Sequence, residues 1–270
     1  MNDALPLHGR VAVITGVSRH RGIGYAIATR LAQMGTSLFL QHWSPHDREQ
    51  PWGADDVSGV MQDLRKQLTH DAELDDISLD LADATAADRL IEAARARFGH
   101  LDILVCNQAV SGSDGALAEQ TATMLDRHWA VNTRATLLAT RAFAEQHDGR
   151  EGGRVIWMTS GQGQGPMVDE IAYATSKAAL AGVTPSVADG LIERGIILNT
   201  VNPGPVDTGY LTADTSDRPD RLAGILNHFP QGRFGEPDDP ARLIAWLVSD
   251  EGRWVVGQVL HTEGGFRRYG

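Results

Sequence analysis

Short apolar runs alternate with helix-spaced apolar positions along this chain from residue 11 to residue 260. A brief continuous apolar run bounded by turn residues reads as a buried strand. Apolar residues three and four apart read as one face of a helix. Residues 11–15 form the first such strand; Ala26, Ile27, Leu31 and Ala32 then repeat at helical spacing, and Gly35 reads as the stop. Residues 37–41 are a second strand. Residues 44–54, rich in Pro, Asp and Trp, read as a loop flanked by Trp43 and Trp52. A helix over 56–68, a strand near 77–79 ending at Asp80, a helix over 84–98 and a strand over 101–106 follow. Residues 121–146 carry one long helical pattern, with Asn132 inside it. A strand over 153–159 leads to a helix running to about Glu193, which Pro185 should kink or break. A strand over 196–201, an irregular stretch over 206–237, a helix over 238–248 and a strand over 255–260 complete the order.

This alternation, without internal repeat or change of composition, calls for α/β architecture. It predicts one doubly wound parallel sheet of about seven strands with helices on both faces. The expected single domain covers 1–270, with a cofactor half roughly over 8–150 and a catalytic and substrate half over 151–270. Residues 206–237 are too long for a plain connection and read as a lid or binding loop.

The first strand runs into Gly16-Val17-Ser18-Arg19-His20-Arg21-Gly22-Ile23-Gly24 and then a helix. Glycines there let the backbone approach a pyrophosphate, whose charge the helix N-terminus stabilises, as in Rossmann-type dinucleotide sites. The end of the second strand, Gln41-His42-Trp43-Ser44, lacks the carboxylate that would hold a ribose 2′-hydroxyl. Arg19 and Arg21 stand in the loop instead. Missing acid and added base favour a 2′-phosphate, hence NADP(H), with NAD(H) still possible. The other reading leaves both arginines facing solvent. His42 and His46 have metal-pair spacing, but Pro45 interrupts a helix there and no third ligand is near, so no metal site is expected.

Charge and cysteine narrow the setting. A formal net charge of -11 argues against nucleic acid or an anionic membrane as partner. The one cysteine, Cys106, suits a reducing compartment. With no signal-like N-terminus and no apolar run of bilayer length, a cytoplasmic protein is expected.

The chemistry centres on Ser160, Tyr173 and Lys177. Ser160 ends a strand; Tyr173 and Lys177, four apart on the next helix, leave from one face. A nearby ammonium should lower the tyrosine pKa and make it a usable acid. The set resembles the short-chain dehydrogenase/reductase family across essentially the whole chain. Ser160 stands thirteen residues before Tyr173, Tyr173 and Lys177 match Tyr-x-x-x-Lys, and Asn132 matches the family's helical asparagine. Asn202-Pro203-Gly204 matches the segment beside the nicotinamide, and Gly264-Gly265 the C-terminal glycine pair.

The resemblance implies catalytic roles for Ser160, Tyr173, Lys177 and Asn132, the last positioning a water in the proton path. It implies cofactor contacts from Gly16, Ser18, Arg19, Arg21, Gly22, Ile23 and Gly24 around the phosphates, with Trp43 and Ser44 after the second strand. Asp80 and Leu81 would meet the adenine, and Asn107 the ribose. Tyr173, Lys177, Pro203, Gly204, Val206 and Thr208 would meet the nicotinamide end. It further implies a homotetramer or homodimer acting on a small carbonyl or alcohol, with a 3-oxoacyl thioester as one option.

The chain departs from the family twice: two extra residues in the glycine loop, and Gln108-Ala109 after Asn107. Met167, Val168 and Tyr210 are expected in the substrate pocket, and Arg134 with Arg141 could form a basic patch for a carrier protein. A dinucleotide-sensing regulator without turnover is the alternative. A serine hydrolase is disfavoured, since Ser160 lacks the Gly-x-Ser-x-Gly elbow.

Overall fold

The computed structural model describes residues 5–69, 71–216 and 219–268. Seven strands form one sheet: β1 (Val11–Ile14), β2 (Ser37–His42), β3 (Leu74–Ser78), β4 (Ile103–Cys106), β5 (Gly153–Met158), β6 (Ile196–Asn202) and β7 (Val259–His261). Their order is β3-β2-β1-β4-β5-β6-β7, and every pairing is parallel. The helices are α1 (Ile23–Gln33), α2 (Ser44–Arg48), α3 (Val57–Arg65), α4 (Ala86–Phe98), α5 (Ala122–His128), α6 (Ala135–Gln146), α7 (Ile171–Ile192), α8 (Leu222–Asn227) and α9 (Asp238–Val248).

Strand alternation divides the core in two. Ala12 and Ile14 point to one face and pack with Ile27 and Leu31 of α1, Leu64 of α3 and Ile244 of α9. Val11 and Val13 point to the other and pack with Leu90 of α4, Phe143 of α6 and Leu180 of α7. Both faces are covered, so the strands read as continuous apolar runs rather than alternating ones. Strand order reverses between β1 and β4, and a crevice opens beyond their carboxyl ends, where doubly wound sheets bind ligands.

Five local expectations change. Residues 44–54 contain a short helix, α2, because Pro45 sits in its first turn, where a missing N–H costs nothing. The pattern over 121–146 is two helices joined by a π-helical turn, Trp129–Arg134, which holds Asn132. α7 runs through Pro185 without a break; the carbonyl left without an N–H is that of Ala181, a partly exposed residue. The last strand is only Val259–His261. The stretch 206–237 is not wholly irregular: Val206 pairs with Gly235 at its base and it carries α8.

Candidate functional site

The crevice is a cavity of about 1160 Å³. Gly16 enters it from β1 at φ 71°, and the close approach there is absolute. A Cβ on Gly24 would stand 2.6 Å from the Gly16 carbonyl oxygen and 2.7 Å from Asn107 Nδ2. Asn107 donates from that nitrogen to the carbonyls of Thr15 (3.0 Å) and Gly16 (3.1 Å), fastening the glycine loop to the end of β4. Gln41 does the same from β2, accepting from the Gly16 N–H at 2.9 Å and donating to the Leu79 carbonyl at 2.7 Å. Gln108 turns away into the core, donating to the Val131 carbonyl (3.1 Å) and Thr136 Oγ1 (2.9 Å). Its side-chain amide is thus satisfied in the core, while the residue still lines the cavity.

The residues present fit a dinucleotide. Gly22 caps α1 with no side-chain hydrogen bond and no acid stands in its first turn, so the helix N-terminus is open to a phosphate. Gly16, Ser18, Arg19, Gly22, Ile23, Trp43, Asp80, Leu81, Asn107, Pro203, Gly204, Val206 and Thr208 all line the cavity. Arg21, Gly24 and Ser44 do not. Gly24 acts through close packing on Gly16. The Ser44 hydroxyl accepts a hydrogen bond from Arg48 at 3.3 Å. Arg21 reaches across to Asp207 at 2.6 Å.

No carboxylate stands at the end of β2, but α2 brings one, Asp47, to the cavity wall. Asp47, on α2 and 7% exposed, pairs with Arg19 Nε at 3.0 Å and accepts from the Ser18 hydroxyl at 2.5 Å. Arg19 also donates to the Thr208 carbonyl at 2.6 Å and lies over the Trp52 ring. Both loop arginines therefore reach the segment after β6, Arg19 largely buried and Arg21 from the solvent side.

At the other end, Ser160 and Tyr173 share the cavity wall, with Lys177 buried behind them. Lys177 Nζ donates to the Met158 carbonyl at 2.9 Å and lies 5.8 Å from the centre of the Tyr173 ring. Burial pushes the Tyr173 phenol up to about 12, against a lowering by the Ser160 hydroxyl, with Glu170 adding to the rise. Burial lowers Lys177 to about 8. The expected acidification of the phenol by the ammonium is therefore not seen: burial dominates both groups, and the ammonium sits against the ring, fixed to a carbonyl.

Asn132 is fully buried. Its oxygen accepts from the Val110 N–H at 2.8 Å; its nitrogen donates to the Val110 carbonyl (3.1 Å) and Ser176 Oγ (3.0 Å). Both amide protons are committed, so the side chain joins the loop after β4 to α7 rather than presenting a donor to water.

Asp114, which the sequence reading missed, caps α7, the helix of Tyr173 and Lys177, from a loop distant in sequence. Its carboxylate accepts from the backbone N–H of Tyr173 at 2.7 Å and of Ala172 at 3.1 Å. The α7 N-cap residue, Glu170, provides no side-chain cap of its own. These hydrogen bonds outweigh partial burial and hold Asp114 below the usual carboxylate range. Met167 and Tyr210 line the substrate end as expected, together with Leu211, Leu222, Ile225 and Phe266. Val168 does not, being 65% exposed. Among the described residues no group of three His, Cys, Asp or Glu side chains could hold a metal ion. No described helix is long and apolar enough to cross a membrane.

A family model described as enoyl-(acyl carrier protein) reductase matches residues 16–267. The uncharacterized oxidoreductase YjdA of Bacillus subtilis is 38% identical, covering 96% of this chain and 97% of that protein. The 3-oxoacyl-[acyl-carrier-protein] reductase FabG of Escherichia coli is 32% identical, covering 95% and 97%. Among solved structures, a short chain dehydrogenase from Burkholderia cenocepacia in complex with NADP superposes with a TM-score of 0.82 at 31% identity, covering 96% and 98% of the two chains.

Proposed function

Because the chain belongs to the short-chain dehydrogenase/reductase family, we propose that it reduces a ketone or other carbonyl to a secondary alcohol at the expense of NADPH. The carrying observation is that Ser160 and Tyr173 share one cavity wall with Lys177 buried behind them. A bound nicotinamide dinucleotide supplies the hydride. Tyr173, its phenol held near 12 by burial, is protonated at neutral pH and serves as general acid toward the carbonyl oxygen. The Ser160 hydroxyl donates to the same oxygen and stabilises the charge that develops there. Lys177, lowered to about 8, holds a proton that it can give up near neutral pH, which suits it to restore the one Tyr173 loses. Asn132 and Asp114 fix the catalytic helix in place.

The NADP(H) preference rests on Arg19 in the cavity wall and on the NADP-bound relative. Asp47 opposes it, since a 2′-phosphate must share Arg19 with that carboxylate. NADH is accordingly a weaker but usable cofactor, by roughly tenfold, about one charge-assisted hydrogen bond. A carrier-protein thioester is not favoured by Arg134 and Arg141: the first donates to the Ala82 carbonyl and the second pairs with Asp88 and Glu145. We read the protein as a cytoplasmic homotetramer or homodimer. Leu125 and Trp129 on one side, and Trp246 and Trp254 on α9 and the turn after it, leave apolar surface exposed for a second copy.

The test is NADPH oxidation against a panel of ketones, with NADH in parallel. Ketone-dependent oxidation, faster with NADPH at limiting cofactor, is the expected result. Binding of NADPH with no oxidation by any ketone would favour a dinucleotide sensor.

A further inference from the structure

The substrate end of the cavity holds a cation that hydride transfer does not use. After β7 the chain turns through Gly264 and Gly265, at φ 58° and 78°, and runs back across the site. Phe266 packs on Phe229, ring centres 4.8 Å apart, and the Arg267 N–H donates to the His228 carbonyl at 3.0 Å. The arm is thereby tied to the segment after α8. Arg268 then reaches the loop that follows Ser160. A Cβ on Gly161 would overlap its guanidinium, and one on Gly165 would stand 2.8 Å from its Cδ. Two glycines, one of them the immediate neighbour of Ser160, thus form the bed in which this side chain lies.

Arg268 is not saturated there. Its Nη2 donates to Glu263, which also accepts from Asn202 Nδ2 at 2.7 Å. Its Nε has no partner but is sealed from solvent, so the donors open to a ligand are those of the Nη atoms. A guanidinium has five N–H donors in a planar fork, so one carboxylate oxygen does not exhaust it. Its side chain is 15% exposed, and it lines the cavity. Of the other arginines lining the cavity, Arg19 is held by Asp47 and Arg127 pairs with Glu49. Among the described residues, Arg268 is the cation that abuts the Ser160 loop.

We propose that Arg268 is a substrate-recognition residue that selects short oxo acids. Its guanidinium receives a carboxylate a few bonds from the carbonyl held by Ser160 and Tyr173. Planar fork geometry matches a carboxylate. In a protein of net charge -11, an anionic substrate needs such a local cation to be held. Glu263 keeps the arginine in place. The assignment rests on the ketone-reduction reading above.

The test compares a 3-oxo acid with its methyl ester in the intact protein, as a ratio of kcat/KM values. The wild type should favour the acid. Arg268→Gln should lower the acid-to-ester ratio by about 10- to 100-fold, the range of a hydrogen bond to a charged group, mainly through KM for the acid. Arg268→Lys, which keeps the charge and loses the fork, should fall between. A wild-type ratio at or below one, or a ratio that neither variant changes, would overturn the proposal. If neither acid nor ester is reduced, the ketone-reduction reading itself has failed, a different result visible in the ester arm alone.

Discussion

Tyr173→Phe should still bind NADPH within about threefold of the wild type while turnover falls by about 10²- to 10⁴-fold, the usual worth of a general acid. The substitution keeps the ring and removes one oxygen. The ring packs on α7 and beside Lys177, and neither contact needs the hydroxyl. The backbone N–H of residue 173 also keeps its hydrogen bond to Asp114. The expected outcome is therefore a loss in kcat with the fold and cofactor site intact. Cofactor titration by fluorescence and steady-state oxidation of NADPH, run on the same preparation, would check it. A fully active phenylalanine variant would remove the proton donor from the account.

The second large effect concerns Lys177. Lysine is charged below its pKa, and burial brings that value down to about 8. Reduction that depends on the ammonium should be constant below this region and fall as pH rises through it. Lys177→Met should lose about 10²-fold or more across the whole range and lose that limb. Lys177→Arg, charged at every accessible pH, should also show no fall near 8 even if its activity is low. A pH–rate profile of the three proteins measures this directly. A wild-type profile flat from pH 6 to 10 would mean the ammonium has no part in the step.

How far the sequence carried the argument depended on distance along the chain. The glycine loop was readable because Gly16, Gly22 and Gly24 lie close together between a strand and a helix, where their packing is local. Tyr173 and Lys177 were readable because four residues on a helix fix one face. Asp47, Asp114 and the contact of Arg268 with Gly161 were not, because each forms only when the sheet has assembled. Asp47 meets Ser18 across 29 positions and Asp114 meets Tyr173 across 59. No periodicity encodes such contacts.

The π-helical turn at Asn132 escaped for another reason. One extra residue in a turn barely disturbs a 3.6-residue pattern, although it is a frequent mark of a functional position. The end of β2 carries no carboxylate, but α2 brings Asp47 to the cavity wall beside Arg19, a placement that adjacency along the chain does not reveal. The two added glycine-loop residues, which seemed to weaken the phosphate site, lie in a loop whose arginines hold the segment after β6.

The central claim is that a nicotinamide held in the crevice delivers hydride to a carbon whose oxygen Ser160 and Tyr173 hold. Reduction of a ketone with NADPH deuterated at the transferring position tests it most directly. The account predicts deuterium on the carbinol carbon of the alcohol product, with unlabelled solvent supplying the hydroxyl proton. Alcohol formed without deuterium at that carbon would contradict it.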